Sequence, residues 1–363
     1  MFVRSLFLIL ATTALAACAS TPRQVAQPQP PRQAAPRIVT VQPLPPQLAP
    51  RASTSVPEGL RQEIAALWRA FPGKTGIAVR RIDGDWVIGQ RGAELFPQQS
   101  VSKLWVAMTV LERVDRGELR LDAPVTITRD DLTLFHQPLA ARVAREGRVE
   151  ASVRSLIDEA LTASDNSAND ALLRTAGGPA AVNDFLRRKG LNNIRFGPGE
   201  RLLQSGIAGV QWRQELSAGR AFQAERARVP LDRRRNLLSA YVADPIDGAS
   251  PEAMVDALAR LALGQLLSPE STRLMLDTLT RTKSGPNRLK AGVPAGWRFL
   301  HKTGTGQDLP PVSTGYNDVG IMTAPDGTRY AVAVMLGETS APIPARMQLM
   351  QSVSRAIARY HQQ

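Results

Sequence analysis

Three short motifs carry side chains of catalytic character, and the first is Ser100–Lys103. It opens the long predicted helix that runs from about Val101. A serine and a lysine one helical turn apart share a face, and backbone N–H groups at a helix N-terminus can stabilise an oxyanion. A desolvated amine beside a serine helps the hydroxyl to lose its proton. Taken alone the motif is weak, because a capping serine and a surface lysine would give the same spacing.

The second and third motifs lie downstream. Ser164–Asn166 falls between two predicted helices, where the alternative interpretation is an N-terminal helix cap. Lys302–Gly304 lies in the predicted strand Trp297–Thr305, where the lysine can hold a substrate carboxylate and the glycine permits close approach of a substrate. An earlier Lys-Thr-Gly, Lys74–Gly76, precedes the serine motif, and we interpret it as a turn into the first strand.

In this order the three motifs resemble those of the class A serine β-lactamases. The resemblance covers essentially all of residues 57–363 and includes Phe96-Pro97 before the serine and Pro294–Trp297 before the Lys-Thr-Gly strand. It implies a hydrolase that opens β-lactams through a covalent acyl-serine intermediate. It implies no metal and no organic cofactor.

The resemblance also assigns roles to individual residues. Ser100 would be acylated, Lys103 would take or relay its proton, and Ser164 would pass a proton to the leaving nitrogen. Substrate binding would fall to Asn166, Lys302, Thr303, Thr305 and Gln204, with the backbone N–H groups of Ser100 and Thr305 forming the oxyanion hole.

A lactamase also needs a base that activates water against the acyl-enzyme. The family uses a glutamate on a loop after Ser-Asp-Asn, followed by two residues, Leu and Asn. Glu200 and Leu203 match this pattern, while Gln204 replaces the asparagine and is one methylene longer. The alternative for Glu200 is a solvated side chain in a Gly-Pro-Gly turn. Whether Lys103 or Glu200 is the acylation base stays open.

A segment at residues 205–248 is several dozen residues longer than the family pattern. It contains Trp212, Phe222 and Tyr241. It extends the loop beside the active site and narrows the cleft or recognises part of a cell-wall substrate. The alternative is a solvated insertion that packs on its own aromatic residues, since loops tolerate long insertions. For the arginine that often supports the substrate carboxylate, Arg346 is the only candidate found.

The elements that must position these motifs follow from hydrophobic periodicity. Helices are predicted at 57–70, 151–162, 167–176, 179–189, 252–263, 268–281 and 345–360, and strands at 75–82, 86–89, 297–305, 319–324 and 330–336. The order predicts an α+β fold, an α/β sandwich. One antiparallel sheet is built from both chain ends and flanked by helices, with an all-α subdomain inserted at roughly 100–290. We expect a monomer.

The N-terminal 56 residues are predicted to be an export signal followed by a tether. Arg4, a short apolar run and Leu15-Ala16-Ala17-Cys18 resemble a bacterial signal peptide of 1–18 that ends in a lipobox, with Cys18 lipidated. Residues 19–56 contain nine Pro and no acidic residue, which predicts a disordered tether. We therefore expect a periplasm-facing lipoprotein of the bacterial cell envelope, most simply on the outer membrane.

The charge excess is distributed in a way that disfavours nucleic acid. The 363 residues carry a net charge of +13, yet residues 57–363 contain 40 basic and 32 acidic residues with interleaved signs, and no nucleic-acid motif. The single cysteine excludes an internal disulfide, and His136, His301 and His361 are too far apart for an HExxH metal motif.

β-Lactam hydrolysis is the leading functional hypothesis. A peptidoglycan D-Ala peptidase or an esterase of the same fold is the alternative, motivated by Gln204 and the long 205–248 segment. A non-catalytic lipoprotein that binds cell wall through its basic tether is the third. Contact with peptidoglycan stays open under each of them.

Overall fold

A computed structural model describes residues 55–361. Its helices are α1 (Glu58–Ala70), α2 (Lys103–Asp115), α3 (Leu139–Glu146), α4 (Val153–Asp158), α5 (Asn166–Ala176), α6 (Gly178–Arg188), α7 (Glu200–Ala208), α8 (Ala221–Arg228), α9 (Leu231–Ala243), α10 (Pro251–Ala262), α11 (Pro269–Thr280) and α12 (Ile343–Arg359). Its strands are β1 (Lys74–Arg81), β2 (Val87–Gln90), β3 (Phe96–Pro97), β4 (Pro124–Ile127), β5 (Val149–Ser152), β6 (Gly248–Ala249), β7 (Arg298–Gly304), β8 (Asp308–Leu309), β9 (Val312–Thr323) and β10 (Arg329–Thr339).

The main sheet is antiparallel and has the strand order β2-β1-β10-β9-β7, with β8 pairing to β9. Ile77 of β1 lies opposite Val334 of β10, so the first and last strands of the chain are neighbours in the sheet. The predicted α+β sheet assembled from both chain ends is confirmed. Lys74, which opens β1, donates to the carbonyl oxygens of Leu95 and Val242, in keeping with a structural role.

The sheet separates two apolar cores, because successive strand residues point to opposite faces. On one face Ile77 and Val334 pack with residues of α1 and α12 such as Val353. On the other face Ala78 and Ala333 belong to the core that contains α2, α5 and α10. Burial on both faces explains why the central strand β10 is continuously apolar over residues 330–336.

The helical block is less regular than predicted. It contains the short pair β4–β5, and its strand β6 pairs with β3 just before the block, so the block is mostly but not entirely helical. The predicted helix 151–162 divides into β5, α4 and a π-helical turn at Glu159–Ala163. The long helix α2 begins at Lys103, after a 3-10 turn at Gln99–Ser102.

Strand β9 begins at Val312, seven residues before the predicted start at Val319. The missed part contains polar residues that are nonetheless buried. Asn317 is fully buried, and its amide donates to the carbonyl oxygens of Pro97 and Gln98, which compensates for the loss of hydration. Polar groups buried with hydrogen-bond partners break the apolar pattern without breaking the strand.

The extra segment at 205–248 is largely helical and packs on the domain. Phe222 of α8 shares an apolar cluster with Leu134 and Leu216, and Tyr241 of α9 shares another with Leu203. These aromatic side chains anchor α8 and α9 to the rest of the domain.

No helix within residues 55–361 is long and apolar enough to cross a membrane. Cys18, the predicted signal peptide and the predicted tether up to residue 54 lie outside the described residues.

Candidate active site

Lys103 lies at the centre of the site and is fully buried. Its ammonium donates to Ser100 Oγ at 2.6 Å, Asn166 Oδ1 at 2.8 Å and Glu200 Oε1 at 2.6 Å. An ammonium has three N–H groups, so every donor has an acceptor. The carboxylate also compensates a buried positive charge that would be costly alone. The 3-10 turn and the first turn of α2 bring Ser100 and Lys103 onto one face.

Glu200 is the first residue of α7 and is 5 % exposed. The alternative of a solvated glutamate in a turn was therefore wrong. The preceding Gly199 has φ +94°, a conformation that L side chains rarely adopt, and an added Cβ would lie 3.0 Å from Leu173 Cδ2. This glycine allows the chain to turn sharply and direct the carboxylate at Lys103.

Asp170 of α5 anchors the start of α7. Its Oδ1 accepts the Glu200 backbone N–H at 3.1 Å, and the side chain is buried. Burial, and then the nearby charge of Glu200, raises the pKa of Asp170 to about 6. A titratable carboxyl therefore supports the loop that carries Glu200.

Ser164 and Lys302 form a second serine–lysine pair in the site. Ser164 ends the π-helical turn in a left-handed conformation with φ +62°, and its Oγ accepts from Lys302 Nζ at 2.9 Å. Lys302 is 1 % exposed. Burial, and then repulsion from Lys103, holds the pKa of Lys302 well below its ordinary value.

The Lys-Thr-Gly strand continues into a group of hydroxyls and one guanidinium. Thr303 Oγ1 lies 2.7 Å from Ser284 Oγ, and Arg288 donates to Thr305 Oγ1 at 2.6 Å. Arg288 also stacks at 3.8 Å over Tyr316. Arg288 was not predicted from the sequence, because it lies in an irregular loop where the only signal is a basic residue shortly before the Lys-Thr-Gly strand.

Arg346 was the wrong candidate for this guanidinium. It is buried and donates to the carbonyl oxygen of Ala341 and to Ser313 Oγ, both at 2.7 Å. Through these bonds Arg346 connects the start of α12 to β9. It is not among the residues that line the cleft.

A chain of buried amides connects the extra segment to Glu200. Gln204 donates to Gln99 Oε1 at 2.8 Å and more weakly to Glu200 Oε2 at 3.4 Å. Gln99 in turn donates to the hydroxyl of Tyr241 at 2.6 Å, and Gln307 donates to Gln204 Oε1 at 3.0 Å. Both ends of the Gln204 amide are therefore held by protein groups.

Tyr241 completes this network by donating to Asp247 Oδ1 at 2.8 Å, and Asp247 Oδ2 accepts the Gln99 backbone N–H at 2.8 Å. Burial raises the pKa of Asp247 to about 6. Gln99, which has φ +53°, directly precedes Ser100. Sequence patterns gave no signal for these contacts, since they join polar residues that are distant in the chain.

These residues surround a cleft of about 530 Å³. Phe135, with φ +59°, stands at its mouth and meets Phe222 of the extra segment edge to face at 5.3 Å. The lining comprises Ser100, Phe135, His136, Ala163, Ser164, Asn166, Glu200, Gln204, Arg226, Ser284, Arg288, Thr303, Thr305, Gly306, Gln307 and Asp308. Arg226 belongs to α8, so the extra segment contributes to the cleft as well as packing on its aromatics.

A serine bonded to a buried lysine, faced by a second serine–lysine pair, is the arrangement of a serine acyl-transfer enzyme. The β-lactamase enzyme family matches residues 59–361, so the chain belongs to that family. The predicted resemblance is thereby confirmed, and membership assigns a hydrolase that acts on β-lactams.

Individual relatives agree with this assignment. The chain is 28 % identical over 308 residues to a β-lactamase of Streptomyces albus G, covering 84 % of this chain and 85 % of the relative. It is 31 % identical over 247 residues to β-lactamase L2 of Stenotrophomonas maltophilia, covering 68 % and 69 %. Among solved structures, a variant of the last common ancestor of Gram-negative class A β-lactamases superposes with a TM-score of 0.65 at 32 % identity, covering 83 % and 97 %.

Proposed function

We propose that the protein hydrolyses β-lactams through an acyl-Ser100 intermediate that Glu200 helps to deacylate. The observation that carries this proposal is the three-way bonding of Lys103 to Ser100, Asn166 and Glu200. It connects a nucleophile to a carboxylate base through one buried amine.

Acylation follows the hydrogen bonds. Lys103 first gives one of its protons to Glu200 Oε1, and the resulting neutral amine takes the Ser100 proton as Oγ attacks the lactam carbonyl. The oxyanion forms beside the backbone N–H groups of Ser100 and Thr305. When the C–N bond breaks, Ser164 gives its proton to the ring nitrogen and regains one from Lys103, which takes back the proton held by Glu200. Lys302 stabilises the serine oxygen from 2.9 Å during this transfer.

Substrate binding uses the end of the cleft that the Lys-Thr-Gly strand forms. The ring carboxylate is held by Lys302, Thr303, Thr305 and Arg288, a set of charge-assisted and hydroxyl donors. Asn166 accepts from Lys103 and donates to the carbonyl oxygen of Leu134 at 2.8 Å, which fixes its amide in one orientation. Its second N–H is assigned to the carbonyl oxygen of the substrate side chain.

Deacylation assigns Glu200 as the base that takes a proton from the attacking water. Gln204 supports it, since its amide N–H is directed at Glu200 Oε2 while Gln307 holds the amide oxygen. Gln204 is therefore proposed to orient the carboxylate, a task that its longer side chain performs from the next turn of α7.

Two further proposals concern the chain outside the described residues. Lipidation of Cys18 anchors the enzyme to the cell envelope, and the Pro-rich residues 19–56 tether it, as the lipobox and composition indicate. Expression of wild type and Cys18→Ser with a labelled fatty acid tests this. The label and the membrane fraction should both be lost in the variant, and a labelled, membrane-bound Cys18→Ser protein would contradict it.

The activity is tested with purified enzyme, a chromogenic cephalosporin and benzylpenicillin. Wild type should turn over both, and Ser100→Ala should lose at least about 1,000-fold in kcat/KM because the nucleophile is gone. Stoichiometric acylation without turnover, together with release of D-Ala from a muropeptide, would instead establish the peptidase alternative.

A further inference from the structure

Arg226 is a cation of the extra segment that no part of the proposed mechanism uses. It lies on α8, is half-buried and lines the cleft. One guanidinium nitrogen, Nη2, donates to the carbonyl oxygen of Asp308 at 2.7 Å. Its Nε is buried and has no hydrogen-bond partner in the described part of the chain. The side chain is thus tied to the cleft wall while retaining unused donors.

A second guanidinium lies close to the first. Arg234 of α9 also has a buried Nε without a partner among residues 55–361. Burial, and then Arg234, lowers the pKa of Arg226, while the exposed Asp308 raises it and has the smallest influence of the three. Arginine remains charged at neutral pH despite such shifts. Within the described residues neither guanidinium forms an ion pair, and two adjacent cations that outnumber the nearby carboxylate of Asp308 favour a bound anion.

The position of Arg226 relative to Arg288 suggests which kind of anion Arg226 binds. Arg288 bonds to Thr305 and Arg226 bonds to Asp308, and the three residue steps between them span at most ~11 Å of extended chain. This is of the order of the length of a bicyclic lactam with an acylamino side chain. A lactam whose ring carboxylate lies at Arg288 would extend its side chain along Thr305–Asp308 toward Arg226.

We propose that Arg226 forms a subsite for a second carboxylate, carried on the acylamino side chain, so that the enzyme prefers dianionic β-lactams. This inference rests on the proposed function, because it takes the ring carboxylate to lie at Arg288. It assigns the extra segment a role in substrate selection.

The test compares α-carboxybenzylpenicillin with benzylpenicillin, which differ by one carboxylate. The second-order rate constant for acylation of Ser100 is measured for each penicillin by quenched flow and intact mass spectrometry. The quantity compared is the rate constant for the dianionic α-carboxybenzylpenicillin divided by that for benzylpenicillin. Arg226→Gln should lower the ratio by about 2- to 5-fold, the range of a partly solvated charge pair. Arg226→Lys, which keeps the charge, should lose less.

Arg228→Gln is the matched control, since this exposed residue of the same helix pairs with Glu225. It should leave the ratio unchanged. An unchanged ratio in folded Arg226→Gln, or an equal fall in Arg228→Gln, would overturn the inference. Because acylation rates are compared, failure of turnover would contradict the proposed function and leave this test intact.

Discussion

Replacement of Asp170 by asparagine provides a quantitative test of the electrostatics beneath Glu200. The carboxyl of Asp170 is buried and accepts the Glu200 backbone N–H. Its pKa is raised from 3.8 to about 6, first by burial and then by the charge of Glu200. Arg201, whose Nε lies 3.9 Å from Oδ2, offsets part of this effect. At neutral pH the folded protein therefore contains an ionised group in a place that favours its neutral form.

The magnitude follows from proton linkage. Between pH 4 and 6 the folded protein binds more protons at this site than the unfolded chain does, so the free energy of unfolding falls as pH rises. A gap of about two pKa units corresponds to about 3 kcal/mol above pH 6. Asparagine retains the oxygen that accepts the Glu200 N–H and has no charge. Asp170→Asn should thus be more stable than wild type by about 1–3 kcal/mol at pH 7.5 and nearly equal at pH 4.

Urea unfolding of both proteins at several pH values from 4 to 8 measures this difference. Effects of titrating groups remote from Asp170 cancel when wild type and variant are compared at one pH, while those of Glu200 and Arg201 belong to the coupling that is measured. Asp85→Asn, at an exposed hairpin position, is the control and should show no such trend. A stability difference that stays constant across the range, or that changes in the opposite direction, would refute the reasoning.

Three further outcomes are expected. Lys302→Arg should move the alkaline fall of kcat/KM to higher pH, because burial lowers the pKa of Lys302 and arginine keeps its charge; an unmoved limb would show that Lys302 does not set it. Gln204→Ala should slow deacylation by roughly 10-fold or more with little effect on acylation, measured by burst kinetics, since Glu200 loses a donor; slowing of acylation alone would contradict this. Phe222→Ala should cost about 3–5 kcal/mol in urea unfolding, because the side chain is 2 % exposed; a loss below 1 kcal/mol would show that α8 is dispensable to the fold.

The motifs were predictable because each occupies the end of a regular element. Ser100–Lys103 lies where α2 begins, Ser164–Asn166 where α5 begins, and Lys302–Gly304 in β7. Apolar periodicity locates such elements, and their order along the chain then indicates which motifs can meet. Glu200 was identified through the resemblance to the family pattern of Glu, two residues, Leu and Asn after Ser-Asp-Asn, which did not predict that its side chain is buried.

The supporting contacts were not predictable in the same way. Gln99, Tyr241, Gln307 and Arg288 act through hydrogen bonds between segments remote in sequence, and no period in the sequence marks them. Helices α8 and α9 were missed for a related reason. Their exposed faces are rich in arginine, and only a few positions such as Phe222 and Tyr241 are buried, so the apolar stripe that identifies a helix is too sparse.

The central claim is that Ser100 is acylated and that Glu200 is needed to release the acyl group. Intact mass spectrometry of Glu200→Gln during reaction with benzylpenicillin tests it most directly. Ring opening expels no fragment, so the account predicts that the variant gains the whole mass of the penicillin on the peptide containing Ser100, persisting while wild type returns to its free mass. A Glu200→Gln protein that folds, hydrolyses penicillin at the wild-type rate and shows no adduct would contradict the claim.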